Sequence, residues 1–225
     1  MTGTLFIVAT PVGNMDDITL RALATLRHVD TIACEDTRVT HKLLARHGIS
    51  VPLVSYHQHS TAAHAARILA LLAAGKDVAL VSDAGTPGIS DPGGMLVERV
   101  VKELGASARI VPIPGASAAV SALSVSGFPA DRFLFLGFPP HKKGRTVFFK
   151  TVAATEETVV FYESKHRIEK TLTALAAAVG ERSVMVAREL TKQFESFYRG
   201  TAAECCAALR ADDTRGEFVV VVRAR

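Results

Sequence analysis

Three short segments of this chain carry residue types suited to chemistry, and each follows an apolar run. The longest is Ser82-Asp83-Ala84-Gly85-Thr86-Pro87-Gly88-Ile89-Ser90-Asp91-Pro92-Gly93-Gly94, directly after Val78 to Val81. Its glycines let a ligand lie against the backbone, and its prolines restrict the loop's freedom. A plain connection would need fewer of both, so a ligand loop is expected. Pro11-Val12-Gly13-Asn14 follows Leu5 to Ala9 and reads as a turn that could touch the same ligand. Glu35-Asp36-Thr37-Arg38 sets two carboxylates after Thr31 to Cys34. One of these acids is expected to have a chemical role, while Asp36 or Thr37 also suits the N-cap of a helix through Lys42-Leu43-Leu44.

Two further groups invite a functional reading. His57, His59 and His64 have a metal-like spacing, but no carboxylate or cysteine accompanies them between Val51 and Arg67, so no metal is expected. His141-Lys142-Lys143-Gly144-Arg145 and Lys165-His166-Arg167 are basic clusters that each follow a strand-like run. They are either solvated faces or a rim that attracts phosphates.

These segments need a scaffold, and the first half of the chain supplies alternating elements. Strands are expected at Leu5–Ala9, Thr31–Cys34, Val78–Val81 and Arg109–Pro112, with helical patterns between them. The clearest helix runs from Ser60 as N-cap to Ala74, with Ile68, Leu69 and Leu72 on one face and Gly75 after its end. Asp17-Ile18-Thr19 is expected to open an earlier helix, and Met95 through Val101 is helix-like. Such alternation implies a parallel sheet, whose ligands sit at the carboxyl ends of its strands. In the second half, Arg132–Leu136, Thr158–Tyr162 and Phe218–Val222 read as buried strands. Ser183–Arg188 and Phe194–Arg199 lie close enough to pair antiparallel, so this sheet is expected to be mixed. The expected boundary is near Leu123, giving domains 1–122 and 123–225, inside a helix-like stretch from Ala116 to Ser126.

Neither G-x-G-x-x-G nor the P-loop pattern occurs, and the missing glycine fingerprint disfavours a nicotinamide dehydrogenase. With 48% hydrophobic and 21% charged residues in 225, the chain can build a real core. Without Trp, that core must rely on Ala, Val, Leu and Ile. A net charge of +4 permits a polyanionic partner without demanding one. Cys34, Cys205 and Cys206 form neither a disulfide framework nor a zinc spacing, and no signal or membrane span is evident. A cytoplasmic protein with no membrane partner is expected.

Six motifs, in order along nearly the whole chain, resemble a known family. They are Leu5 to Asn14, Ala33 to Arg38, Val81 to Pro87, Pro114 to Ala118, Phe161 to Arg167 and Ala187 to Lys192. The chain is similar to the bacterial small-subunit (16S) ribosomal RNA cytidine 2′-O-methyltransferases of the tetrapyrrole methylase superfamily. The resemblance implies two α/β domains, usually in a homodimer, with S-adenosylmethionine in the interdomain cleft. Its implied substrate is a cytidine ribose in small-subunit ribosomal RNA, within the 30S subunit. Pro11, Asp83, Ala84, Gly85, Thr86, Ile89, Ser117 and Ala118 would then meet the cofactor, with Glu163, Leu190 and Glu217 around its adenine. Asp36 would accept the hydroxyl proton, with Glu35 as substitute, while Arg38, Lys142, Lys143, Arg145, Lys165 and Arg167 would hold RNA. Family members usually carry a helical extension beyond the last strand, where this chain stops, a difference bearing on RNA affinity rather than cofactor binding. A small-molecule tetrapyrrole methyltransferase and a non-catalytic RNA-binding scaffold are the competing readings.

Overall fold

The computed structural model describes residues 2–57 and 62–225. Ser60, the expected helix cap, and His59 lie outside the described residues. The chain divides into two compact units, Met1–Ser117 and Ala118–Arg225. The division therefore precedes the helix in which the sequence placed it.

Unit 1 follows the alternation read from the sequence. It runs β1 (Thr4–Val8), α1 (Leu20–His28), β2 (Thr31–Cys34), α2 (Thr37–Arg46), β3 (Leu53–Ser55), α3 (Ala62–Ala73), β4 (Val78–Val81), α4 (Gly93–Leu104) and β5 (Arg109–Ile113). Among the described residues these strands form one sheet in the order β3-β2-β4-β1-β5. Every pairing in it is parallel. β4 is buried at all four positions, as a strand covered on both faces must be. The sequence missed β3, because three residues are too few to show alternation. Asp17 does not open α1 as expected. A short 3₁₀ turn, Met15–Asp17, is capped by Asn14, and the Thr19 side chain then caps α1 by accepting from Ala22 N–H.

Unit 2 comprises α5 (Ala118–Ser126), β6 (Phe133–Phe135), α6 (Arg145–Ala154), β7 (Thr158–Ser164), α7 (Ile168–Val179), β8 (Val184–Arg188), β9 (Ser196–Gly200), α8 (Ala202–Ala211) and β10 (Glu217–Val222). Its sheet, β6-β7-β10-β8-β9, is mixed: β6 lies parallel to β7 and the other pairs are antiparallel. Strand alternation sorts its core into two faces. Val159, Phe161, Val184, Val186, Phe218 and Val220 meet residues of α6, α7 and α8. On the other face, Ala119, Ala122 and Leu123 of α5 lie against Val160, Met185, Val219 and Val221. The small residues of α5 allow this close approach.

Candidate functional site

Because every strand of the first sheet points the same way, the loops after β1, β2, β4 and β5 emerge at one edge. Hydrogen bonds tie these loops together. Thr10 and Gly85 exchange backbone bonds of 2.9 and 3.0 Å, forming an isolated bridge between the loops after β1 and β4. Below it, the buried Thr10 hydroxyl donates to Ser82 O (3.0 Å), and the Ser82 hydroxyl donates to Gly85 O (3.1 Å). Thr86 Oγ1 donates to Ala116 O (3.1 Å), which adds the loop after β5. Gly85 has φ +80°, a conformation other residues rarely adopt. The Asp91 carboxylate closes the rest of the loop, accepting from Gly88 N–H at 2.8 and 2.9 Å and from Gly93 N–H at 2.6 Å. Sequence reasoning overlooked Thr10, Ser82 and Asp91 as the fasteners of this edge; a Ser, Thr or Asp inside a Gly- and Pro-rich loop is the available signal.

The structure separates the two adjacent acids. Asp36 caps α2, accepting from Arg38 N–H at 2.8 Å, and Arg38 Nη2 reaches its other oxygen at 2.6 Å. Those bonds lower the Asp36 carboxyl to about 2. Glu35 moves the opposite way: burial, then the charges of Asp83 and Asp91, raise its pKa above the ordinary glutamate value. Burial also raises Asp83, whose Oδ1 accepts from Asp36 N–H at 3.0 Å. Asp36 is thus the cap, as one reading of the acidic segment expected, and Glu35 carries the raised pKa.

Of the expected cofactor residues in unit 1, Pro11 is buried, Ala84 exposed and Ile89 51% exposed. Together with Asp83, Gly85 and Thr86 they lie on the loops after β1 and β4, and Ser117 closes the loop after β5. This edge offers backbone and an apolar side chain where Gly85 adds no bulk, which suits a ligand with polar ends and a flat apolar part.

Glu163 and Leu190 do not stand on one side of the unit 2 sheet. Glu163 shares a face with Phe161, and its fully buried carboxylate accepts from Thr171 Oγ1 (2.6 Å) and Ser164 N–H (2.7 Å). Arg167 Nη2 lies 3.5 Å from the same carboxylate. Leu190 belongs to the opposite face, with α5. Tyr162 also packs there, accepting from Ala119 N–H at 3.2 Å and meeting the Phe135 and Phe138 rings edge-on. Its place after Phe161 in β7 is the period-2 signal that could have found it. Glu217 accepts from Lys192 Nζ (2.8 Å), which also donates to Glu189 (2.9 Å). Ala118 is the first residue of α5.

The basic clusters divide as well. Lys142, Lys143 and Lys165 are exposed. Arg145 is partly buried, donating to Thr171 Oγ1 (2.8 Å) and lying 5.1 Å from the Phe149 ring centre. Arg167 donates to the carbonyls of Pro139 and Pro140. The two arginines thus serve the network around Glu163, a correction to the five-residue rim. Among the described residues no group of His, Cys, Asp or Glu could hold a metal, and no helix is long and apolar enough to cross a membrane.

The family profile of Tetrapyrrole (Corrin/Porphyrin) Methylases matches residues 4–206. The chain belongs to this family. A protein named ribosomal RNA small subunit methyltransferase I, from Halalkalibacterium halodurans, is 47% identical to it over 221 residues. That match covers 98% of this chain and 75% of the relative. The protein of the same name from Neisseria meningitidis serogroup B is 49% identical over 224 residues, covering 98% and 76%. Among solved structures, the methyltransferase CobJ superposes with TM-score 0.72 at 21% identity, covering 99% of this chain and 95% of its own. Diphthine synthase gives 0.74 at 15%, covering 98% and 90%. This tetrapyrrole methylase is accordingly a methyltransferase.

Proposed function

We propose that this chain transfers a methyl group from S-adenosylmethionine to the 2′-hydroxyl of a cytidine in small-subunit ribosomal RNA. The observation that carries this reading is identity of 47–49% across nearly the whole chain with relatives named for that RNA. The cofactor supplies an electrophilic methyl on a sulfonium. On unit 1, Pro11, Asp83, Ala84, Gly85, Thr86, Ile89 and Ser117 would hold it, through exposed backbone and the Ile89 side chain. In unit 2, Ala118, Leu190 and Glu217 remain the candidates for contact with the adenine, and Glu163 does not.

A ribose hydroxyl becomes a good nucleophile only as its proton is accepted. Glu35 is the better acceptor of the two candidates, because its raised pKa makes its carboxylate more basic. Asp36 instead holds Arg38 and the start of α2 in place. The exposed Lys142, Lys143 and Lys165 and the α2 residue Arg38 would meet RNA phosphates. The 30S subunit as substrate, a homodimeric state and a cytoplasmic location complete the reading.

The test is incubation with labelled S-adenosylmethionine and small subunits lacking the modification, followed by mapping of the methyl group. Glu35→Gln should lower turnover by ~10²–10⁴-fold, the usual effect of losing a general base. Calorimetry should find its affinity for S-adenosylmethionine unchanged. Because the base must be ionised, wild-type turnover should fall as pH drops through the raised Glu35 pKa. Full turnover by Glu35→Gln would remove this residue from the chemistry.

A further inference from the structure

Because β6 and β7 run parallel, the loops that follow them emerge at one edge of the second sheet. Those loops carry His141-Lys142-Lys143 and Lys165-His166, all five exposed. Among the described residues no ion pair engages the three lysines. The first loop reaches its lysines through Pro139 and Pro140. Neither proline has an N–H, so their carbonyls are the only backbone groups that can fasten this stretch. Arg167, directly after the second cluster, donates to both carbonyls, and Arg145 Nη1 donates to Pro140 O at 3.4 Å. Both arginines are anchored inward as well. Arg167 lies 3.5 Å from the buried Glu163 carboxylate, and Arg145 reaches it through Thr171, whose hydroxyl donates to Glu163 at 2.6 Å. Two backbone bonds complete the arrangement: Tyr162 N–H donates to Gly137 O (2.8 Å), and Arg167 N–H donates to Ser164 O (3.0 Å), closing the turn that holds Lys165 and His166.

We propose that Glu163, Arg167 and Arg145 clasp the two basic loops into one platform for an RNA backbone, with Arg167 a positioning residue that does not touch RNA. The inference rests on the RNA-methylating reading above and adds how its cations are held. A guanidinium suits this task, because its fixed fork of donors serves a carboxylate and carbonyls together. Lysines without acid partners suit phosphates, which are met for charge and not for sequence. A loop already fixed by the clasp needs little further ordering when phosphates bind, so Lys142 and Lys143 can contribute their full attraction. The two arginines thus act on RNA through the lysines.

The experiment is a double-mutant cycle, read by filter binding of labelled, unmodified small-subunit ribosomal RNA at fixed salt. Arg167→Lys keeps the positive charge beside Glu163 but lacks the fork. It should weaken RNA binding roughly tenfold in the wild-type background. Where Lys142→Ala and Lys143→Ala have already removed the charges of the first loop, the same change should cost less than about twofold, the ordinary limit of additivity. An Arg167 that touched phosphate itself would behave otherwise, since lysine retains its charge and any loss would repeat in both backgrounds. Arg167→Ala should show the same non-additive pattern, and the lysine variant decides the matter where the alanine variant does not fold. Affinity for S-adenosylmethionine, measured by calorimetry, should persist in each variant and separates lost RNA binding from lost structure. Unchanged RNA affinity in Arg167→Lys, or an equal loss in both backgrounds, would overturn the proposal and leave the RNA reading standing. If the wild type binds no ribosomal RNA, that reading itself falls, and the proposal with it.

Discussion

Residue by residue, the loops of unit 1 show two different reasons for glycine. A Cβ at Gly85 would meet Val12 Cγ1 at 3.6 Å and Ala116 O at 3.7 Å, both ordinary contacts, so only its positive φ forbids a side chain. Gly85→Ala should therefore cost about 1–2 kcal/mol, the penalty of left-handed backbone, measurable by urea denaturation. At Gly93 a Cβ would lie 2.9 Å from Gly88 N and 2.8 Å from Asp91 Oδ1. Gly93→Ala should instead break the Asp91 closure and speed amide exchange at Gly88, with exchange no faster than wild type arguing against it. Glu35 adds a stability counterpart to its proposed chemistry. Its folded pKa is raised, so its contribution to stability is present below the ordinary glutamate pKa and is lost as pH rises through the raised value. At neutral pH, Glu35→Gln should unfold at a slightly higher temperature than wild type while turning over more slowly, and thermal melts at pH 4 and 7 would reveal the difference.

At the level of elements, unit 2 depends on a buried ionic knot joining β7, α6 and α7. The Glu163 carboxylate is fully buried, and Arg167 is its only ion-pair partner among the described residues. Breaking a buried pair strands the remaining charge. Arg167→Ala should therefore destabilise the chain by on the order of 3 kcal/mol, softened by the bonds Glu163 keeps to Thr171 and Ser164. A chemical denaturation midpoint equal to that of wild type would show the pair to be dispensable. The start of α8 illustrates a smaller, purely local contribution. Thr201 and Glu204 form a reciprocal capping box, and Thr201→Ala should cost about 1 kcal/mol.

On the scale of the whole molecule, a net charge of +4 is too small to hold RNA by itself, so the placement of cations matters more than their sum. Lys142, Lys143 and Lys165 are exposed and can release counterions from phosphates, whereas Arg145 and Arg167 are committed to the protein interior. Replacing the three lysines with Ala should leave stability within about 0.5 kcal/mol. It should also reduce the slope of log RNA affinity against log salt by roughly 2, at ~0.7 per single-strand phosphate. Filter binding from low to moderate salt checks this, and an unchanged slope would mark the lysines as a solvated face.

The alternation of strands and helices in unit 1, the mixed sheet of unit 2 and the loop after β4 were legible from the sequence, although α4 takes up Gly93 and Gly94 from that loop, because strand period, helix caps and turn residues act over a few positions. The six motifs likewise pointed to the family that the matching profile bears out. What the sequence could not decide was which carboxylate is basic and which cation is free. Asp36 and Glu35 are neighbours of the same chemical type, and they differ through Arg38 on one side and, on the other, through burial first and then Asp83 and Asp91, brought in by another strand. Arg167 looks like its exposed neighbour Lys165 until folding sets Glu163 beside it. Local pattern determines which elements form. Charge and proton affinity depend on what a side chain meets across the fold, and only tertiary structure decides that.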